Sequence, residues 1–228
     1  MSRSPHRVSD VMTHRVVAVD RQAGFKEIVE TMDGWKVSAL PVLEGDGRVV
    51  GVVSEADLLP KEEYRDADPS RREQMNRLDD LRKAGSVTAE QLMSAPALTV
   101  RTDATLAQAA RTLARGAVKR LPVVDGAGRL EGIVSRSDLL KVFLRTDEDI
   151  AEEVRDDVVG RLFPVSRAGI TVTVTDGVVT LRGGIPDTAL VPVVARLTRA
   201  VEGVVDVECE LIGPLARKAD RPAAGPRL

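Results

Sequence analysis

The sequence contains two copies of one segment, and the copies start 81 positions apart. Residues 39 to 59, ALPVLEGDGRVVGVVSEADLL, align without a gap with residues 120 to 140, RLPVVDGAGRLEGIVSRSDLL, and 12 of the 21 positions are identical. The register extends upstream, where Met12 falls on Met93. Each copy spans about 55 to 60 residues, which is close to the lower size limit for an independent core. We therefore expect two similar units that pack on each other.

Each copy contains the same succession of patterns. After a short opening turn, VSDVM or TAEQLM, an apolar strand leads into a segment whose apolar residues have helical spacing. In the first copy these residues are Phe25, Ile28, Val29 and Met32. Two strands follow, and the turn between them is rich in glycine and aspartate, as is typical of a hairpin. A closing helix begins at SEADLL or SRSDLL, so each copy predicts the order β-α-β-β-α.

A charged segment connects the two copies. Residues 61 to 83 hold seven basic and seven acidic side chains. Met75, Leu78 and Leu81 recur at helical intervals. A balanced pattern of mixed charges is typical of a solvated surface. The segment therefore predicts a connecting helix that is exposed to solvent rather than a binding arm.

A third unit with a different design follows Arg145. Its first helix is indicated by apolar residues four positions apart: Ile150, Val154, Val158 and Leu162. The stretch GITVTVTDGVVTLRGG alternates on both sides of an Asp-Gly turn, which predicts a hairpin. We expect a second helix to open at Pro186, although Pro192 would break or kink its first half. With VVDVECEL as a last strand, the predicted order is α-β-β-α-β.

Composition excludes several classes of function. The net charge is −2 and only five residues are aromatic, so we expect no basic patch or stacking platform for nucleic acid. His6 and His14 have no cluster of carboxylates or thiols near them, and the single cysteine, Cys209, has no partner for a disulfide and is expected to face inward from a strand. We expect neither a metal site nor a catalytic triad, and the sequence has no phosphate loop. These observations predict a non-enzymatic protein that requires no cofactor.

The first and last residues of the sequence predict the location of the protein and the state of its tail. The first residues, MSRSPHRVSDVMTHR, have no apolar core of signal-peptide length, and no later stretch is long enough to span a bilayer. This predicts a cytoplasmic protein. The final residues, KADRPAAGPRL, are polar and rich in proline, which predicts a disordered tail.

A serine three residues before an aspartate recurs where a strand turns into the closing helix. The pairs are Ser54 with Asp57 and Ser135 with Asp138. In one interpretation they are capping boxes, in which the serine caps the helix and the aspartate reaches back to the serine amide. In the other they belong to a nucleotide site, because a helix start favours phosphate and a carboxylate accepts hydrogen bonds from both hydroxyls of a ribose.

A glycine precedes each of these serines by three positions inside an otherwise apolar strand. These residues are Gly51 and Gly132. Glycine within a strand marks a close approach of another group to the backbone. This feature favours the nucleotide interpretation.

The two copies of M…LPVhxxxGRhhGhhSxxDLL, where h is apolar, resemble a pair of CBS domains, the regulatory modules named after cystathionine β-synthase. The resemblance covers about residues 8 to 145. It implies an α+β fold in which two units pack through their sheets around a pseudo-twofold axis. It also implies two clefts that in many members bind AMP, ADP, ATP or S-adenosylmethionine, and assembly as a homodimer.

Carried over residue by residue, the resemblance assigns a role to each candidate. It places Asp57 and Asp138 on ribose hydroxyls, with Ser54 and Ser135 near phosphate. Basic residues before the LPV strand contact phosphate in the family, and the residues that fit this position are Lys36, Lys119 and Arg120, which are otherwise ordinary surface charges. Adenine would lie against apolar residues that serve equally well as core: Val17, Val37, Leu98 and Val118.

The third unit, residues 146 to 213, resembles a BON domain, a small α/β module for which attachment to phospholipid membranes is commonly proposed. The portions DGVVTLRGGI and VEGVVDV carry the match. The unit holds six basic and thirteen acidic side chains, so anionic lipid should repel it. Its charge favours contact with a protein partner or a cation over contact with a membrane.

The sequence thus predicts five segments: a CBS domain at 8–63, a charged helical linker at 64–86, a second CBS domain at 87–145, a BON domain at 146–213 and a disordered tail at 214–228. Our leading hypothesis is a regulatory protein that senses an adenine nucleotide in the CBS clefts and relays this to the BON domain or a partner. Two alternatives stay open. One is a ligand-free dimerisation scaffold, and the other is a stress-related, membrane-associated protein that acts through the BON domain.

Overall fold

The computed structural model describes residues 6–65 and 78–213. The chain forms two compact units, one from His6 to Leu140 and one that begins at Lys141. The first unit contains both copies of the repeat. Predictions for Met75 and for the tail at 214–228 lie outside the described residues. No helix among the described residues is both long enough and apolar enough to cross a membrane.

The first copy forms a three-stranded sheet with helices beside it. Its elements, in chain order, are α1 (Val8–Val11), β1 (Val19–Asp20), α2 (Phe25–Trp35), β2 (Ala39–Glu44), β3 (Arg48–Ser54) and α3 (Glu55–Leu58). Strand β1 is parallel to β2, and β2 is antiparallel to β3. Two further helices, α4 (Pro60–Glu63) and α5 (Leu78–Gly85), belong to the segment that connects the copies.

Helix α2 follows the predicted spacing of apolar residues, except that Val29 is exposed. Ile28 and Met32 are buried in the core of the first copy, and Phe25 packs against the same core. This apolar stripe fixes the orientation of the helix on the sheet. The helix ends at Trp35, and the residue that caps it, Lys36, has a left-handed backbone with φ of 52°.

The second copy repeats the first. Its elements are α6 (Ala89–Leu92), β4 (Val100–Arg101), α7 (Leu106–Arg115), β5 (Arg120–Val124), β6 (Leu130–Ser135) and α8 (Arg136–Leu140). Strand β4 is parallel to β5, and β5 is antiparallel to β6. The order β-α-β-β-α and the α+β class that were predicted from the repeat are therefore confirmed.

The opening segment of each copy docks on the other copy. The amide of Val8 donates to the carbonyl of Ala104 over 2.9 Å, and the amide of Ala89 donates to the carbonyl of Ala23 over 2.9 Å. Two isolated bridges follow the same relation: Thr13 with Ile133 and Ser94 with Val52. In each pair of contacts, a residue of the first copy is replaced by the equivalent residue of the second copy, 81 positions later, and the reverse holds for its partner. The two copies are therefore related by a pseudo-twofold axis.

The strand glycines make room for methionines rather than for a ligand. A Cβ atom on Gly51 would lie 2.3 Å from Sδ of Met93, and a Cβ atom on Gly132 would lie 2.6 Å from Sδ of Met12. Each methionine follows the opening helix of the other copy, so each close approach belongs to the exchange of opening segments. The interpretation of these glycines as a sign of a nucleotide is therefore wrong.

The second unit has the predicted order α-β-β-α-β. Its main elements are α9 (Asp147–Glu153), a π-helical segment (Val154–Val159), α10 (Gly160–Leu162), β7 (Ile170–Thr175), β8 (Val178–Gly184), α11 (Val191–Arg199) and β9 (Asp206–Ile212). Strand β8 lies between β7 and β9 in the sheet. Cys209 is half-buried against the core, as expected for an inward-facing strand residue, and burial raises the pKa of its thiol.

The second helix of this unit begins later than predicted. A 3₁₀ turn, Thr188–Leu190, comes first and is capped by the side chain of Asp187. Helix α11 then begins at Val191, so the prediction that it opens at Pro186 is wrong. Pro192 lies in the first turn, where a helix does not need its amide. The predicted break therefore does not occur.

Candidate functional site

A cavity of about 460 Å³ lies between the two copies of the repeat. One wall comes from the end of β3 and the start of α3, and the other comes from the segment after α6 and the residues between α7 and β5. The volume falls in the range of small-molecule sites. Six of the residues that were predicted from the sequence line this cavity: Ser54, Asp57, Leu98, Val118, Lys119 and Arg120.

Asp57 is held in place by the turn that starts α3. Its Oδ2 accepts a hydrogen bond from the Ser54 amide over 2.7 Å and another from the Ser54 hydroxyl over 2.7 Å. Ser54 has the extended backbone of a cap residue, with φ of −128° and ψ of 165°. Only 7% of Asp57 is exposed. The expected capping box is therefore present, and it fixes the carboxylate at the wall of the cavity.

The other oxygen of Asp57 has a partner that the sequence did not predict. Its Oδ1 accepts a hydrogen bond from the ammonium of Lys83, which lies in α5. The Lys83 side chain is only 16% exposed. The connecting segment is also tied to the first copy through Lys61, whose Nζ donates to the carbonyl of Ala84 over 2.9 Å and lies 5.2 Å from the centre of the Phe25 ring. Helix α5 has no buried residue, as expected for a solvated connecting helix, but Lys83 and Ala84 tie it to the first copy.

The opposite wall carries a guanidinium group. Nη2 of Arg120 donates to the hydroxyl of Ser38 over 2.8 Å, and both residues line the cavity. A guanidinium has five donors in a planar fork, so Arg120 keeps further N–H groups for an anion such as phosphate. The apolar part of this wall includes Leu98, which is 44% exposed. The wall can therefore contact both a charged group and a flat apolar group.

The second copy builds the same turn at its own helix start. Oδ2 of Asp138 accepts from the Ser135 amide over 2.9 Å and from the Ser135 hydroxyl over 2.6 Å. These two residues do not line the cavity that contains Asp57. Neither do Val17 and Val37, which pack partly buried against the core of the first copy. Of the two serine–aspartate pairs, only Ser54 and Asp57 line this cavity.

Lys36 does not line the cavity that contains Asp57, whereas Lys119 and Arg120 do. It pairs with Asp33 over 2.8 Å, and this contact lowers the pKa of the Asp33 carboxyl. Lys36 lines a neighbouring cavity together with Val37 and Arg120. In the repeat register it corresponds to Ala117, which has the same φ of 52°. Lys36 is therefore offset from Lys119 by two positions in the repeat register, and its role as a phosphate contact stays a prediction.

The second unit has a cavity of about 460 Å³, and two of the charged side chains that line it, Arg145 and Asp147, bind other groups of the protein. The carboxylate of Asp147 accepts from the amides of Asp176 and Gly177 over 2.8 and 2.9 Å. Arg145 donates to the carbonyl of Glu202 over 2.8 Å and pairs with Glu153 over 2.8 Å. These contacts hold the helix start against the hairpin turn. Across residues 6–65 and 78–213, no group of three or more histidine, cysteine or acidic side chains is arranged to hold a metal.

Comparison with known proteins places these features in a family. The CBS domain model matches residues 8–62 and 89–145, and the BON domain model matches residues 146–212. Uncharacterized protein MJ1426 of Methanocaldococcus jannaschii is 27% identical over 153 residues, which cover 60% of this chain and 90% of that protein. CBS domain-containing protein CBSX2, chloroplastic, of Arabidopsis thaliana is 32% identical over 155 residues, which cover 61% of this chain and 64% of that protein.

A solved structure of a related protein resembles the first unit. The crystal structure of CBSX2 in complex with AMP has a TM-score of 0.54 at 32% identity, and the match covers 61% of this chain and 97% of that chain. The matched family models, the repeat and the pseudo-twofold exchange agree with one another. The chain therefore belongs to the CBS-domain proteins, as a tandem pair of CBS domains followed by a C-terminal BON domain.

Proposed function

We propose that the chain is a non-enzymatic regulatory protein whose CBS pair binds an adenine nucleotide in the cavity that contains Asp57. One observation carries this proposal: a fixed carboxylate from the first copy faces Arg120 and exposed apolar surface of the second copy across a space of nucleotide size. The AMP complex of CBSX2 supports an adenine nucleotide as the class of ligand. AMP, ADP, ATP and S-adenosylmethionine are the four candidates.

Each part of such a ligand has a suitable partner. The ribose hydroxyls would donate to Asp57, because a carboxylate only accepts hydrogen bonds. The phosphate would accept from Arg120, with Lys119 near it and with Ser54 at the start of α3. The adenine ring would lie against Leu98 and Val118. Asp138 and Ser135 lie outside this cavity, and their role as ligand contacts stays a prediction from the sequence.

The bound nucleotide would act by shifting a conformational equilibrium. A ligand that contacts both copies favours the arrangement of the two copies in which both sets of contacts form, and the shift is limited by its differential affinity. We propose that a homodimer partner or the BON domain responds to this shift. The acidic BON domain favours a protein partner over a membrane. The cytoplasmic location stays a prediction from the sequence.

Calorimetric titration of the full chain with the four candidate ligands tests this proposal. We expect heat of binding with at least one of them, and we expect Asp57→Ala to weaken that binding by about 10- to 100-fold, because a hydrogen bond to a charged group is lost. Asp138→Ala is the matched control, since it removes the same capping carboxylate from a turn outside this cavity. Equal losses in both variants, or a loss in Asp138→Ala alone, would contradict the assignment of this cavity.

The scaffold alternative has one observation in its favour. Both oxygens of Asp57 already have protein partners, Ser54 and Lys83, so the carboxylate is satisfied without a ligand. Under this alternative no candidate ligand produces heat. Asp57→Ala then lowers the melting temperature and has no other consequence. The same titration therefore separates the two functions.

A further inference from the structure

We propose that Lys83 sets the affinity of the cavity for ribose-containing ligands, because its ammonium occupies the oxygen of Asp57 that a ribose needs. Ligand binding then releases helix α5 from the first copy. This inference rests on the proposed function. It adds the residue that opposes binding and the element that responds to it.

The hydrogen-bonding capacity of Asp57 leads to this inference. A carboxylate has about four acceptor positions, two on each oxygen. Oδ2 already accepts from the amide and the hydroxyl of Ser54, and Oδ1 accepts from Lys83. One position is left, whereas the two hydroxyls of a ribose need two. A ribose that binds with both hydroxyls must therefore displace one of the present donors.

Lys83 is the donor that can leave. The amide of Ser54 is part of the helix cap, and its hydroxyl sits on the same residue, so both are fixed by the turn. Lys83 has a long flexible side chain whose ammonium regains full hydration once it reaches solvent. The exchange leaves the carboxylate with a full set of donors. The exchange replaces the ion pair between Lys83 and Asp57 with hydrogen bonds from neutral hydroxyls, so Asp57 loses its positively charged partner when the ligand binds.

The displaced lysine anchors a specific element. Helix α5 contacts the first copy through Lys83 on Asp57 and through its end near Ala84, which accepts from Lys61. Lys83 lies in the connecting segment outside both copies, so the repeat supplies no second lysine for this purpose. Occupancy of the cavity is thereby linked to α5, the helix that leads into the second copy. This link follows from one ion pair and needs no motion of the sheets.

The size of the effect follows from the competition. The ligand binds only those molecules in which Lys83 has left Asp57. The apparent dissociation constant is therefore the intrinsic dissociation constant divided by the fraction of molecules in that state. An ion pair with both side chains mostly buried is occupied most of the time. If about one molecule in ten has Lys83 displaced, its removal tightens binding about tenfold.

Variants at two lysines test the inference in the full chain. Lys83→Met keeps a long side chain without the ammonium, and Lys61→Met removes the other tie of α5 without touching Asp57. The probes are adenosine and 2′-deoxyadenosine, titrated calorimetrically, with melting curves to establish that each variant is folded. We expect Lys83→Met to bind adenosine about tenfold more tightly than the wild type does. Lys61→Met should bind as the wild type does. The gain for 2′-deoxyadenosine should be smaller, because its single hydroxyl at this position needs only one acceptor.

Hydrogen exchange of the unaltered protein gives a second readout. Amides of residues 78–85 should exchange faster with saturating AMP than without it, although ligands usually slow exchange. Slower or unchanged exchange there overturns the release of α5. Unchanged or weaker adenosine binding by Lys83→Met, or an equal gain in Lys61→Met, overturns the competition. Weaker AMP binding with unchanged adenosine binding makes Lys83 a phosphate contact instead, which also overturns it. If neither the wild type nor Lys83→Met binds adenosine, AMP, ADP, ATP or S-adenosylmethionine, the proposed function itself fails.

Discussion

Replacing Gly51 with alanine tests the packing that unites the two copies. The added Cβ would lie 2.3 Å from Sδ and 2.7 Å from Cγ of Met93, far inside van der Waals contact. Gly51 is not one of the residues with positive φ, so the backbone itself accepts alanine. The three atoms nearest to the added Cβ all belong to Met93, so the strain comes from the methionine of the other copy.

The magnitude combines two opposing effects. Overpacking of a core by one methyl group costs about 1–3 kcal/mol. Alanine recovers about 0.4–1 kcal/mol, because it restricts the unfolded chain more than glycine does. The net cost is on the order of 1–2 kcal/mol. For a unit of this size we expect the melting temperature to fall by about 2–4 °C for each kcal/mol.

Thermal unfolding of the ligand-free protein measures this effect, with Gly34→Ala as the control. Gly34 lies in α2 with nothing within 4 Å of an added Cβ, so its replacement should be neutral or stabilising. The cost of Gly51→Ala should shrink in a Met93→Ala background, since the colliding Sδ and Cγ atoms are then absent. A melting temperature that is unchanged in Gly51→Ala, combined with loss of nucleotide binding, would refute this reasoning and restore the glycine to the ligand site.

Three further outcomes follow from single contacts. Arg120→Met should weaken AMP binding about tenfold or more while affecting adenosine much less, because it removes a charged donor to phosphate, and calorimetry measures both. The backbone amide of Arg129 donates to Asp125 and lowers the pKa of this carboxyl. The ionised carboxylate therefore stabilises the folded state at any pH above the ordinary pKa of about 3.9. This stabilisation is lost as the pH falls through the lowered pKa. The melting temperature of the wild type should therefore exceed that of Asp125→Asn at pH 7, and the difference should shrink in strong acid. Pro192→Ala should change the free energy of unfolding in urea by less than about 1 kcal/mol, since its position needs no amide.

Local patterns accounted for most of the fold. The spacing of Ile28 and Met32 placed α2, and the Asp-Gly turn at Asp176 placed the hairpin of β7 and β8. The capping box at Ser54 could also be predicted, because each of its contacts spans only three residues. Pro192 was misjudged because the chain makes a separate turn before α11, and proline in a first helical turn does not break a helix.

Contacts between distant residues could not be predicted in the same way. Lys83 is one of seven basic residues in a balanced segment, and nothing in its neighbours distinguishes it from the others. Its contact with Asp57 depends on how α5 folds back on the first copy. Gly51 did signal a close approach, but the approaching group, Met93, is 42 positions away in the chain. The roles of Asp57, Arg120 and the other candidates as ligand contacts stay predictions.

The exchanged opening segments make the tandem pair one indivisible folding unit. In a solenoid each repeat contacts only its neighbours, so a repeat can be added or removed at small cost. Here the amide of Val8 finds its acceptor at Ala104 in the other copy, and Ala89 finds its own at Ala23. These hydrogen bonds form only when residues far apart in the sequence come together, and contacts between distant residues slow folding. A deletion of either copy therefore removes hydrogen-bond partners from the copy that remains, so we expect neither copy to fold alone.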